Sequence, residues 1–406
     1  MDPSPARPTG PALYLAGVQY FFFSCWTVYA LYLPGLLESV GIAPARAAWV
    51  LMADQILFAV FDVAAGFAAD RSRRLYGRIG PWVLGATVVS CLAFLLLPWA
   101  GMAGDGGAAL LLLLAGLWAI TSSALRAPVF SMLCRYAARP QVPALSGIAL
   151  AGMALAGASA PYLSTLMRGQ DPRLPFAVAS LALLATASGL IWAERALGKT
   201  APAAQAPAAP KPATLSPGLL FPLAALGALA FQAFFHLDAA PRYLQDAKPE
   251  QLPWLMPVFW IGFHVGIFGV GPIATRLGNG WLFALACALG ATGAAVSGSL
   301  PGLAVAIAGQ ALAGLGWGAA LAAAFGLVSE CARARPATPE ATFLGILFSM
   351  LAVATFMRMG LVALGLPGRP EWTTMLIALP ALIWLAVSVT VALRARSAVS
   401  ETANAR

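Results

Sequence analysis

The sequence predicts an all-α membrane protein whose twelve transmembrane helices form two pseudo-symmetric six-helix bundles. Three observations carry that prediction: an extreme apolar composition, apolar runs of span length joined by short connections, and partial repetition of one half in the other. Of 406 residues, 60% are hydrophobic and only 10% charged, with a mean hydropathy of +0.82. A soluble domain carries about 25% charged residues, and a chain this apolar would expose large hydrophobic patches to water.

The apolar runs fall at roughly 12–34, 46–69, 81–101, 107–135, 142–167, 173–194, 217–241, 252–275, 280–299, 302–331, 341–365 and 371–395. Each suits a span of about 20 residues. Backbone in lipid must close its own hydrogen bonds, which selects helices, and these runs are too long and continuous for barrel strands. The polar start, MDPSPARPTG, leads into an apolar run longer than a signal-peptide core, so the first helix is expected to be retained.

Charge placement sets the orientation. With the amino terminus inside, sixteen of the 24 Lys and Arg residues fall on the cytoplasmic side and six outside, leaving Arg126 and Arg358 within the membrane. That bias predicts a cytoplasmic-membrane protein with both termini inside. The net charge of +9 is spread between apolar runs, which excludes a nucleic-acid surface. The five cysteines lie in or beside apolar segments without CxxC spacing and read as packing residues. No nucleophile–base pair, metal-ligand spacing or phosphate loop is present, so neither an enzyme nor a cofactor is expected.

Residues 199–216, rich in Ala and Pro, read as a cytoplasmic linker between an N-terminal bundle (1–198) and a C-terminal bundle (217–406). The halves share features in the same order. Gly66-Phe-Ala-Ala-Asp-Arg71 answers to Gly271-Pro-Ile-Ala-Thr-Arg276, and Leu114-Ala-Gly-Leu117 to Leu312-Ala-Gly-Leu315, while the first and seventh spans end near Pro34 and Pro241. Two parallel six-helix halves resemble the build of the major facilitator superfamily.

Ionisable groups in the membrane are costly, about 2.5–3.5 kcal/mol each at mid-bilayer on insertion scales. They occur here in spans two (Asp54, Asp62), four (Arg126), seven (His236, Asp238), eight (His264) and eleven (Arg358), and not in the interiors of spans three, six, nine and twelve. That absence agrees with a plan in which every third helix faces lipid. At 1.5 Å per residue, Asp62 and Arg126 lie about 12 and 14 Å from the cytoplasmic ends of their spans and are level enough to pair. Asp54 and Arg358 both come out at about 24–25 Å, which predicts a second pair, an outer gate between spans two and eleven. His236 and Asp238 read as a wetted helix end, and His264 as either a packing histidine or a proton carrier. The turn Asp70-Arg71-Ser72-Arg73-Arg74-Leu75-Tyr76-Gly77-Arg78 reads as a latch in which Asp70, Arg71, Arg74, Gly77 and Arg78 act at the cytoplasmic mouth.

The stretch Asp62-x-x-x-Gly66-x-x-x-Asp70-Arg71, with Gly77-Arg78 and Pro81-Trp82 after it, resembles the glycoside–pentoside–hexuronide cation symporters, the melibiose-carrier family. Leu117-Trp118-x-x-Thr121, Arg126-x-Pro128 and Ser131 extend the resemblance over about the first 135 residues, and Arg358-Met359-Gly360 is a thinner match in the second half. It implies solute uptake coupled to Na⁺, Li⁺ or H⁺, with acidic residues on helices two and four forming the cation site. Asp62 matches one of those acids. The other two positions fall at Phe58 and Arg126, so the expectation is a lost sodium site, with the fixed charge of Arg126 beside Asp62 and a proton left as the coupling ion.

Alternating access around a cavity lined by spans one, four, seven and ten is the expected mechanism. The candidate lining residues are Gln19, Trp26, Tyr29, Trp118, Ser122, Arg126, Gln232, Gln310 and Trp317, with aromatic rings to stack on a solute and Arg126 to hold a carboxylate. The expected partners are a small polar or organic-anion solute, membrane lipids and a coupling proton, with the chain as a monomer. The competing class is a transporter-shaped lipid flippase, sensor or assembly factor.

Overall fold

The computed structural model describes residues 9–136, 141–200, 213–334, 340–367 and 369–404. Most of the expected linker lies outside these residues. The described residues form helices joined by short turns, with no strand. In chain order they are α1 (Thr9–Ser39), α2 (Ala47–Tyr76), α3 (Gly80–Leu96), α4 (Gly107–Ser122), α5 (Ala127–Tyr136), α6 (Val142–Met167), α7 (Arg173–Ala187) and α8 (Leu190–Thr200). There follow α9 (Pro217–Phe231), a π-helical turn (Gln232–Asp238), α10 (Ala239–Tyr243), α11 (Leu252–Leu255), α12 (Pro257–Ser299), α13 (Leu303–Arg333), α14 (Glu340–Ala363) and α15 (Pro370–Asn404).

Ten helical stretches among the described residues are long and apolar enough to cross a membrane, against the twelve spans expected. Two of the ten run to 56 and 51 residues and are interrupted by glycine. Gly104 (φ 56°, ψ −130°) breaks the first between α3 and α4, and Gly278 (φ 80°, ψ 164°) breaks α12. Both angles lie in the left-handed half of backbone space, where a side chain is strained.

Packing follows the distribution of small and large side chains. α13, built largely of Ala and Gly, is the most buried helix and lies against α12. α1 packs on α6, α2 lies along α14, and α6 meets α12. Large apolar side chains point outward, including Leu113, Leu181, Ile261 and Leu382, each more than 60% exposed. Lipid is the solvent that makes such a surface stable. These side chains are spread over α2, α3, α4, α7, α12 and α15, so helices with and without internal charges both present an apolar face. The five cysteines are all buried and free.

Two acids that the spacing argument passed over hold the helix ends. The Glu194 carboxylate accepts from the backbone N–H of Ile79 and of Gly80, both at 2.8 Å, and so caps the start of α3. Glu330 accepts from Asn279 Nδ2 at 2.7 Å and Thr214 Oγ1 at 3.1 Å, tying α13 to the break in α12 and to the segment before α9.

Candidate functional site

Along α2 the residues Asp54, Phe58, Asp62, Gly66 and Asp70 recur every fourth position, so they form one slowly drifting stripe. All five are buried, while Ile56, Val60 and Phe67 on the other face are more than 50% exposed. The stripe faces α14 and the junction of α4 with α5. That junction is broken: Ser123–Leu125 form a 3₁₀ turn, Arg126 has φ −97° and ψ −102°, and Pro128 in the first turn of α5 lacks the N–H that would continue the ladder. Gln19 Nε2 donates to the Leu125 carbonyl at 2.8 Å, so this expected lining residue is buried as a brace for the break.

The break aims Arg126 across the bundle. Its Nη1 lies 3.3 Å from Asp62 Oδ2, with Asp62 fully buried. The guanidinium sits between two rings, 4.7 Å from the centroid of Phe58 and 5.1 Å from that of Phe348, and Nη2 donates to the Phe348 carbonyl at 3.5 Å. Asp62 and Arg126 are therefore joined within the first half, and Arg126 also rests on α14 of the second.

Towards the end of the bundle that carries the Arg71–Arg78 turn, the halves of the chain are sealed. Phe130 of α5 packs on Phe325 (4.7 Å) and Phe348 (5.5 Å). Gly66 faces the carbonyl of Ala341, and Gly345 faces that of Asp62. A Cβ at either glycine would collide with the opposing backbone, so the two helices touch reciprocally. Beyond them the Asp70 carboxylate accepts from the Thr342 N–H (2.9 Å) and hydroxyl (3.1 Å) in the first turn of α14. A free N–H and the positive end of the helix dipole both favour an anion there. Arg73 Nη1 holds Asp70 Oδ1 at 3.4 Å, and Arg333 Nη2 donates to the Cys134 carbonyl at 2.7 Å. Gly77 ends α2 in the left-handed conformation (φ 69°). Arg71, Arg74 and Arg78 are exposed and have no side-chain partner among the described residues, so the cross-helix contact is made by Asp70, with Arg73 behind it.

The expected Asp54–Arg358 ion pair is absent among the described residues. Asp54 Oδ2 accepts from the Tyr29 hydroxyl at 2.9 Å. Arg358 Nε donates to Gln232 Oε1 at 2.7 Å, and Gln232 Nε2 donates to Thr355 Oγ1 at 3.0 Å. The expectation rested on equal depth. Depth fixes height along a helix but not the direction in which a side chain leaves it, and each group finds a partner on a neighbouring helix of its own half.

The aromatic candidates divide. Trp26 stacks on Trp118 at 5.5 Å and approaches Phe58 at 5.7 Å, while Tyr29 lies 4.7 Å from Trp118. Trp118 and Tyr29 are buried and Trp26 is half-buried, so of the three only Trp26 presents surface. Trp317 stacks on Phe231 at 5.3 Å and is buried, as are Gln310 and Ser122. His236 is exposed, edge-on to Phe231 and Phe235, whereas Asp238, expected to be wetted with it, is buried. His264 has Nδ1 2.7 Å from the Trp260 carbonyl and Nε2 3.1 Å from the Ala151 carbonyl, so it bridges α12 and α6.

Thr342, Phe348, Thr355 and Arg73 escaped the sequence reading. The fourfold stripe on α2 was a usable signal for Phe58 and Gly66. Nothing in the sequence announces which residues of α14 face that stripe.

Residues 15–357 match the family model described as Major Facilitator Superfamily. No curated protein matches the sequence significantly. Among solved structures, a bacterial homologue of the iron transporter ferroportin, in its outward-facing state, is similar with a TM-score of 0.70 and 14% identity, over 96% of this chain and 99% of that one. The fucose:proton symporter of E. coli is similar at TM-score 0.64 and 11% identity, over 96% and 99%. The human organic anion transporter MFSD10 is similar at TM-score 0.66 and 14% identity, over 96% and 100%. At such identities the likeness is one of fold.

Proposed function

This chain belongs to the major facilitator superfamily, and from that premise we propose that it is a secondary transporter moving a small polar or organic-anion solute by alternating access. It is an integral multi-pass membrane protein. Our reading takes the stretches broken at Gly104 and Gly278 as two crossings each, which gives twelve spans in two halves, 1–198 and 217–406, joined by the 199–216 linker. It places the Arg71–Arg78 turn and both termini in the cytoplasm and the chain, as a monomer, in the cytoplasmic membrane.

The observation that carries the reading is the seal of α2 and α5 against α13 and α14. It consists of glycine-to-backbone contacts, one ring cluster and a carboxylate on a helix end, beneath a buried ion pair. Contacts of this kind are individually modest, with a charge at a helix end worth about 0.3–1 kcal/mol. They can open and re-form as a unit, which is what the cytoplasmic gate of a rocking carrier requires.

The narrower resemblance to the melibiose-carrier family supplies the coupling proposal. Where that family places a cation between acids, this chain has Arg126 paired to Asp62 and flanked by Phe58 and Phe348. A guanidinium remains charged at all relevant pH, so it occupies the place of a bound Na⁺. Transport is accordingly driven by H⁺ or by the solute gradient. Uptake into proteoliposomes with a solute panel, under imposed H⁺, Na⁺ or no gradient, tests both parts. Accumulation driven by Na⁺ and lost in Asp62→Asn would refute the coupling proposal, and absence of any solute movement would refute the transporter.

A further inference from the structure

Two charged groups inside the membrane, Asp54 and Arg358, have no ion-pair partner among the described residues. Arg126 is offset by Asp62 at 3.3 Å. Arg358 has no acid within ion-pairing distance among the described residues, and Asp54 is held by the neutral Tyr29 hydroxyl. A guanidinium cannot shed its proton to escape this cost. Arg358 instead donates Nε to Gln232 Oε1, and Gln232 is itself held by Thr355, so one edge of the guanidinium is fixed. Its two terminal nitrogens have no protein partner among the described residues, and neither is a fully enclosed atom left without one. The free edge is the fork that binds a carboxylate through two parallel N–H···O bonds.

The surroundings fit that use. Gln232 and His236 lie on a π-helical turn, Gln232–Asp238, a rare geometry that recurs at functional sites. It puts residues four apart on nearly the same face. His236 is exposed there, edge-on to Phe231 and Phe235. A second hydrogen-bonding group thus shares the turn that holds Gln232 against the fork.

We propose that Arg358, oriented by Gln232 and Thr355 and accompanied by His236, is the binding site for the carboxylate of an organic-anion solute. The assignment rests on the transporter reading and narrows its substrate class. It also moves the anion-binding role expected of Arg126, whose charge is taken by Asp62, to the second half of the chain.

The test pairs binding with transport on the full chain. Purified protein in detergent is titrated with a panel of aliphatic and aromatic monocarboxylates and their primary amides, and thermal stability is read. At least one carboxylate is expected to raise the melting temperature where its amide does not. Arg358→Gln is expected to weaken that binding about 10- to 100-fold, the worth of a hydrogen-bonded charge. Arg358→Lys, which keeps the charge but loses the fork, is expected to fall between, and its monodispersity controls for folding. Carboxylate binding undiminished in Arg358→Gln overturns the proposal, as does a panel in which no carboxylate outdoes its amide. The same panel in proteoliposomes separates the two claims. Neutral solutes moved without carboxylate binding would leave the transporter standing and the anion site refuted. Arg358-dependent binding without movement would do the reverse.

Discussion

Arg126 and Asp62 form a 3.3 Å ion pair in the interior of the helix bundle, and the same guanidinium lies against Phe348 on α14, at the contact between the two parts of the chain. The pair neutralises both charges and places a helix–helix contact next to them. Breaking a buried pair by removing one partner costs about 3–5 kcal/mol, because the other charge is left uncompensated.

Asp62→Asn and Arg126→Leu are therefore each expected to lower stability in detergent by that amount, about 3–5 kcal/mol. The double variant is expected to recover most of it. Thermal unfolding of the singles and the double decides the matter, and additive losses in the double would show that the charges do not act as a pair.

Gly66 and Gly345 leave no room for a Cβ against Ala341 and Asp62. Gly66→Val is expected to push α2 away from α14 and expose the seal. An Ala341→Cys probe, fully buried in the parent, should then react faster with a water-soluble maleimide. An unchanged labelling rate would mean that the helices are not held together at these glycines.

Asp70 acts through its charge at the start of α14, where Thr342 supplies an N–H and a hydroxyl. Asp70→Asn keeps the shape but loses the charge, with an expected cost to the sealed state of about 0.3–1 kcal/mol. Neutralising the exposed Arg71, Arg74 or Arg78 is expected to leave the seal intact. The same maleimide assay compares the four variants, and an arginine effect as large as that of Asp70 would contradict the geometry.

His264 bridges two helices, with Nδ1 2.7 Å from the Trp260 carbonyl of α12 and Nε2 3.1 Å from the Ala151 carbonyl of α6. His264→Leu is expected to loosen α6 from α12 by about 0.5–1.5 kcal/mol, the net worth of one hydrogen bond. The signal is faster hydrogen exchange in these two helices than in the parent. An unchanged exchange rate would show that the bridge does not hold them together.

The sequence by itself determined the membrane solvent, the helical class, the residues that carry charge into the bilayer and the matching heights of Asp62 and Arg126. Each follows from a property the chain displays along its length: hydropathy, period, and depth at a fixed rise per residue. The fourfold stripe from Asp54 to Asp70 belongs to the same kind of information, since one helix carries it all. What only the tertiary structure decided was which face meets which. Asp54 and Arg358 share a height but not a direction, so one turns to Tyr29 and the other to Gln232. Trp118 and Trp317 became packing, Asp70 found Thr342 272 residues away in the chain, and the π turn set Gln232 against Arg358. Rotation about a helix axis and the register between two helices are settled by packing across the whole bundle, and no local run of sequence records them.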